Sequence, residues 1–343
     1  MTDIIIGTSK LGWDLKETNL NKYISVINYQ LKNNKDVHVS KSYGYSLNHI
    51  NRCKNLKESN SAFYIKAAFN DIDQFLLEIF YVCEMIGKSK KINIQIDEYF
   101  NLKNFDKLNK VLPIIRAHFH LKDVYLTVLP HNYKKFIEIK SIKKYNFAIH
   151  YSLIENHIDD QFFEYCKKNN KKILALRALG GGINNFTYND FYRYSKKITT
   201  SSNLINFHKE LDKNKISKIE ARAFFVLCNK ILYKIVVSSS SIDRLKDLLK
   251  IKKLKISKSK TDILKRLSKT HFNTDSKKNA YLVNNNLTEK LNIKIFIEVY
   301  YNLKRRKIVK NVNLVKLLNL SILNIYYFIY SKLKIKFAFL KSF

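Results

Sequence analysis

Lys91-Ile92-Asn93-Ile94-Gln95-Ile96-Asp97 alternates without a break. Successive side chains of a strand point opposite ways, so Ile92, Ile94 and Ile96 share one face and Asn93, Gln95 and Asp97 the other. A strand of a doubly wound parallel sheet is covered by helices on both sides and is apolar on both faces. A strand of a closed parallel barrel gives one face to the outer helices and turns the other inward, toward the mouth. The segment reads as a barrel strand.

Seven other short apolar runs flank it, at 3–6, 37–40, 63–69, 124–129, 147–154, 172–176 and 234–238. Between them lie helical patterns. Residues 71–86 carry Ile72, Phe75, Leu76, Ile79, Val82, Cys83 and Ile86 at spacings of three and four, and 160–170, 217–229 and 243–249 are similar. Strands alternating with helices of this size make parallel βαβ units. Eight in about 250 residues is the size of a (β/α)8 TIM barrel in the α/β class. The alternative is a doubly wound sheet, but GxGxxG is missing after the first strand.

The chain has 343 residues, 46% of them hydrophobic and 27% charged, which excludes wholesale disorder. Cys53, Cys83, Cys166 and Cys228 form no CxxC pair, which argues against a zinc ribbon or a disulfide scaffold and fits a reducing, cytoplasmic compartment. No histidine–cysteine pattern has metal-site spacing, His118 and His120 included, and no metal is expected. The N-terminus runs into Ile4-Ile5-Ile6-Gly7 without the pattern of a signal peptide, and no apolar stretch reaches the length of a membrane span.

Net charge is +35. Two readings stay open: an anionic partner, or a composition rich in Lys, Asn, Ile, Tyr and Phe that follows nucleotide bias and says nothing of fold. No specific nucleic acid is expected. Residues 251–343 hold 22 Lys and Arg against 4 Asp and Glu, with no Gly or Pro. Residues 1–270 are read as the barrel and 271–343 as a basic, aromatic-rich helical extension. That extension either packs on the barrel or meets an anionic membrane surface, with Lys304-Arg305-Arg306-Lys307 as its densest cluster.

Five segments, in order and at matching spacing over roughly residues 3–270, resemble the aldo/keto reductase superfamily. Ile6-Gly7-Thr8-Ser9-Lys10-Leu11-Gly12 is similar to its first strand. Val37-His38-Val39-Ser40-Lys41-Ser42-Tyr43-Gly44 is similar to its second strand and loop, usually written FDTAxxYG. Phe63-Tyr64-Ile65-Lys66 resembles the third strand, which ends in a lysine. Ala175 to Gly182 resembles the motif AYSPLGxG, and Ser238 to Leu245 the loop after the eighth strand.

The resemblance implies NADP(H)-dependent hydride transfer to a small carbonyl-containing substrate. The carbonyl oxygen gains negative charge as hydride arrives, so a positioned proton donor must meet it. A tyrosine near its ordinary pKa of about 10 is a poor acid–base group at neutral pH, and a nearby ammonium favours the tyrosinate. The family uses Tyr for the proton, Lys to tune it, Asp to hold the Lys and His to orient substrate. Here Tyr43 and Lys66 stand at the first two positions. His38 occupies the aspartate position. The histidine position falls within 95–97, where strand direction favours Asp97 over a two-residue slip. Asp97 is then a candidate to replace the missing carboxylate from the neighbouring strand.

A pyrophosphate wants free backbone N–H groups, which a glycine-rich turn or a helix N-terminus supplies. Gly180, Gly181 and Gly182 are three of the chain's seven glycines. They are read as cofactor-binding, with a tight turn as the alternative. Ser238 and Ser239 lead into a helix; their alternative is an ordinary N-cap. By resemblance Arg244 meets the adenosine 2′-phosphate and Asn132 the carboxamide. Ala148, Leu176 and Leu248 depart from the family's glutamine, aromatic and asparagine. Three functions follow: a reductase working through Tyr43 and Lys66, a barrel that binds a nucleotide or sugar without turnover, and a basic peripheral binder of membrane or nucleic acid.

Overall fold

The computed structural model describes residues 3–9, 11, 20–44, 46–69, 71–97, 100–129, 132–153, 156, 158–179, 201–253 and 257–272. Eight strands are present among these residues: β1 (Asp3–Gly7), β2 (Val37–Val39), β3 (Phe63–Ala67), β4 (Lys91–Ile96), β5 (His120–Val128), β6 (Asn146–His150), β7 (Ile173–Leu176) and β8 (Leu232–Val237). They follow sequence order around a closed barrel, and the paired strands run parallel. Most of the extension read from 271 onward lies outside the described residues, as do Gly180, Gly182 and most of the long insertion after β7.

Contacts gather the described chain into two units, residues 6–124 with 238–242 in one and 3–5, 125–237 and 243–272 in the other. The first holds β2, β3 and β4. Their register aligns His38 with Tyr64 and Lys66 with Gln95. Paired residues in a parallel ladder point to the same side, so His38, Tyr64, Lys66, Asn93 and Gln95 share one face. Val37, Val39, Phe63, Ile65, Ile92, Ile94 and Ile96 share the other and are buried. The division read in 91–97 therefore extends over three strands.

Helices cover the apolar face. In α3 (Ile72–Ile86), Phe75, Leu76, Ile79, Val82, Cys83 and Ile86 form the buried stripe that the spacing predicts. Asp71 caps it by accepting from Gln74 N at 2.7 Å. Phe69 meets Phe75 edge-on, with ring centroids 4.8 Å apart, and so joins the chain after β3 to α3. Three further helices belong to this unit, the shortest being α2 (Ser46–Asn51). In α1 (Leu20–Lys32), Tyr23, Val26, Ile27 and Leu31 are buried at helical spacing. The stripe of α4 (Phe105–His118) is Leu108, Val111, Leu112 and Ile115. Pro113 lies inside α4, where it lacks the N–H for a helical bond, and it masks a periodicity that is otherwise plain.

The second unit is built the same way around β5–β8. Phe147 leaves the outer face of β6 and packs edge-on against Phe162 of α6 (Asp160–Lys168), 5.3 Å between centroids. Asp159 caps α6 through Phe162 N and accepts from the Tyr133 hydroxyl of α5 (Tyr133–Ile137). After β7, α7 (Ser201–Lys213) and α8 (Lys218–Leu227) precede β8, and Ser217 with Glu220 forms a capping box at α8. Two more helices, α9 (Ile242–Lys253) and α10 (Lys258–Phe272), follow β8.

Strand ends differ from expectation by up to four residues. β5 begins at His120 rather than 124, because its exposed first half carries His120, Lys122 and Asp123 and lacks an apolar signature. β6 ends at His150, four residues earlier than read. β2 and β4 stop one residue short, leaving Ser40 and Asp97 in the loops that follow.

Candidate active site

The polar face of β2–β4 collects the residues singled out in the sequence. His38, 3% exposed, lies in the middle of β2. Its carbonyl accepts from Thr8 N and Thr8 Oγ1, both at 3.0 Å. Its ring Nε2 is 2.6 Å from Gln95 Oε1. An amide oxygen only accepts, so Nε2 carries the hydrogen and Nδ1 remains an acceptor. Burial pushes the imidazolium down to about 4; the Gln95 bond opposes this, and the positive charge of Lys66 adds to it. His38 is a neutral ring at neutral pH.

Tyr43 arrives from the loop after β2. Its ring centroid is 5.9 Å from that of His38. The loop is a tight turn: Tyr43 N donates to Ser40 O at 3.1 Å, Ser42 N donates to Ser40 Oγ at 3.2 Å, and Ser46 N donates to Tyr43 O at 3.2 Å. Gly44 has φ +59°, a left-handed conformation that glycine adopts without penalty. The Tyr-Gly pair thus has a backbone reason. Lys66, half-buried near the end of β3, completes the cluster.

Strand direction favours Asp97 as the strand-four member. The register adds a second residue beside it: Gln95, fully buried and two positions earlier, is level with Lys66 and bonded to His38. The signal was present, since Gln95 belongs to the same polar alternation. What the sequence lacked was the stagger between β3 and β4. Asp97 is buried one residue past β4, its N–H donating to Ala67 O at 3.0 Å.

Of the residues read as cofactor-binding, Gly180 and Gly182 lie outside the described residues. Ser238 is half-buried just past β8. Ser239 Oγ accepts from Ser241 N at 3.1 Å and donates to Ser241 O at 2.9 Å, so it closes its own turn. Arg244 is exposed in the first turn of α9. Asn132 Oδ1 accepts from Leu129 N at 2.8 Å, which ties the Asn132 oxygen to the turn after β5. Ala148 and Leu176 fall on the inner face of β6 and β7 with Leu174. Arg177, next to Leu176, has φ +55°, a strained backbone for a side chain with a Cβ.

Other chemistries find less. The four cysteines are free, and burial pushes the Cys53 and Cys166 thiols up to about 12, far from a reactive thiolate. Among the described residues no three His, Cys, Asp or Glu side chains gather to hold a metal. Among them, too, no helix is long and apolar enough to cross a membrane.

No family model matches the sequence, nor does any curated protein. Solved structures do match. An aldo-keto reductase of Klebsiella pneumoniae in complex with NADPH is 8% identical, TM-score 0.58, over 79% of this chain and 94% of its own. The glycerol dehydrogenase of Gluconobacter oxydans is 14% identical, TM-score 0.61, over 78% and 91%. An aldo-keto reductase from a deep-sea metagenome library of the Medee basin is 13% identical, TM-score 0.57, over 80% and 94%. At these identities the likeness establishes architecture: the chain has the (β/α)8 barrel fold found in aldo-keto reductases.

Proposed function

We propose that the chain is a divergent NADPH-dependent reductase of small carbonyl compounds, with Tyr43 as the proton donor. The observation that carries this is the cluster of Tyr43, His38 and Lys66 on the polar face of a barrel of this fold. Tyr43 stands in a turn that fixes its backbone, followed by a glycine in the conformation the motif needs. A nicotinamide cofactor supplies the hydride when bound. The chain's own residues do the rest. Tyr43 gives its phenolic proton to the carbonyl oxygen as negative charge develops there. The Lys66 ammonium stabilises the phenolate left behind. Neutral His38, held by Gln95, packs beside Tyr43 and limits the positions its ring can take.

The groups fit a nucleotide in donor chemistry. Arg244 is a guanidinium in the N-terminal turn of a helix, a setting suited to a phosphate. Titration with NADPH and NADH, followed by nucleotide fluorescence, tests the reading. NADPH is expected to bind more tightly, and Arg244→Ala to weaken NADPH by about 10–100-fold while sparing NADH, as loss of one charge-assisted phosphate contact implies. If neither nucleotide binds at millimolar concentration, the reductase reading falls.

In this scheme Asp97 stands in for the carboxylate missing at His38. It follows Gln95 by two residues, is buried, and its backbone is bonded to the residue after Lys66. Asp97→Asn is expected to lower kcat and displace the alkaline limb of its pH profile. An unchanged profile would remove Asp97 from the scheme. A binding barrel without turnover is the second reading, favoured by His38 at the family's aspartate position and by the lack of a histidine within 95–97. Nucleotide binding without any carbonyl reduction would select it.

A further inference from the structure

A basic cluster lies at the other ends of the strands, where 140–146, 167–172 and 229–234 lead into β6, β7 and β8. These nineteen residues contain nine lysines and no Asp, Glu or Arg. The segments are joined in space. The Lys171 ammonium donates to Lys143 O, and Lys172 N donates to Asn146 Oδ1 at 3.0 Å. Ile173 pairs with Leu232 and Leu174 with Lys234, so Tyr233 is the extra residue of a bulge. The ammonium groups of Lys172 and Lys234 lie over its ring, 5.2 and 5.1 Å from the centroid.

Helix ends explain part of this. Lys143, Lys144, Lys167 and Lys168 sit in last turns, where terminal carbonyls favour cations. Lys171, Lys172, Lys230 and Lys234 come after the helices, and that account does not reach them. Burial holds the Lys171 ammonium below its usual range, and the charge of Lys143 acts in the same direction. Three large apolar or aromatic side chains are exposed among the described residues, and two are here: Ile231 at 36% and Tyr233 at 39%. Exposed apolar groups beside this many lysines match a partner that is anionic and apolar at once.

We propose that this ridge docks on the surface of an anionic bilayer, with Ile231 and Tyr233 entering the headgroup layer and the lysines meeting lipid phosphates and carboxylates. A nucleic-acid strand fits less well. The Tyr233 ring already carries two ammonium groups, which leaves little face for base stacking, and the ridge has no arginine for bidentate base contacts. The proposal is independent of the reductase reading and of the C-terminal extension.

The test is flotation of the full chain with phosphatidylcholine vesicles, with and without phosphatidylserine. Binding is expected only with phosphatidylserine and should weaken at high salt. Reversing four ridge lysines (K144E/K168E/K172E/K230E) is expected to lower apparent affinity at least about a hundredfold. A charge-matched control on other exposed lysines (K22E/K32E/K35E/K54E) should stay within a few-fold of wild type. Ile231→Ser, which leaves charge unchanged, should reduce binding several-fold and guards against a misfolded quadruple variant. Equal losses in ridge and control variants would overturn the proposal, because net charge or the extension would then be responsible. So would failure of the wild type to bind, or a ridge variant that loses oligothymidylate binding while keeping vesicles.

Discussion

Tyr43→Phe is expected to lower the rate of carbonyl reduction by about 10²–10⁴-fold, the range for losing a positioned general acid, with NADPH affinity unchanged. The asymmetry is the informative part. The phenylalanine keeps the ring that packs 5.9 Å from His38 and the turn that places it. Only the hydroxyl is lost, so a fall in kcat with intact nucleotide binding separates proton donation from folding. Lys66→Met should fall with it, and the double variant should be little worse than either alone, because the two act on one proton. A Tyr43→Phe protein reducing carbonyls at the wild-type rate would take Tyr43 out of the chemistry and leave the barrel as a binding scaffold.

Much of this site was legible because barrel strands are two-faced. Alternation in 91–97 separated Ile92, Ile94 and Ile96 from Asn93, Gln95 and Asp97, and the register places that polar face beside His38 and Lys66. Alternation fixes faces but not stagger. A two-residue slip keeps every side chain on its face while changing which one meets a neighbour. Alternation alone therefore leaves both Gln95 and Asp97 facing His38, and it is the pairing of β3 with β4 that brings Gln95 to it. Ser239 illustrates a different limit. Its hydroxyl looks free in the sequence, yet the loop turns back and uses it on Ser241. The bulge at Tyr233 was also hidden, because it exists only in the pairing of β7 with β8.

The burial of His38 has a measurable cost in acid. His38 titrates near 4 in the folded protein because burial disfavours its charge, and an unfolded histidine titrates near 6.5. Above pH 6.5 the ring is neutral in both states and contributes no pH dependence. Below 6.5 the unfolded chain takes up the proton and the folded chain does not, so stability falls with falling pH until about 4. The full loss is about 3 kcal/mol, from a shift of roughly 2.5 units at 1.36 kcal/mol each. Burial also pushes His49 down to about 4, so wild type should lose stability through the same window at two sites. Urea unfolding of wild type and His38→Asn at pH 7, 6, 5 and 4 measures the His38 share as the difference in slope. The variant should be flatter by about 3 kcal/mol between the ends, whatever its stability at pH 7. Equal slopes would mean that His38 is charged or solvated in the folded chain. The same titration constrains catalysis. A ring that stays neutral from pH 5 upward donates no proton in the working range, so a reductase pH profile in that range should follow Tyr43 and Lys66 and keep its shape in any His38 variant that still turns over.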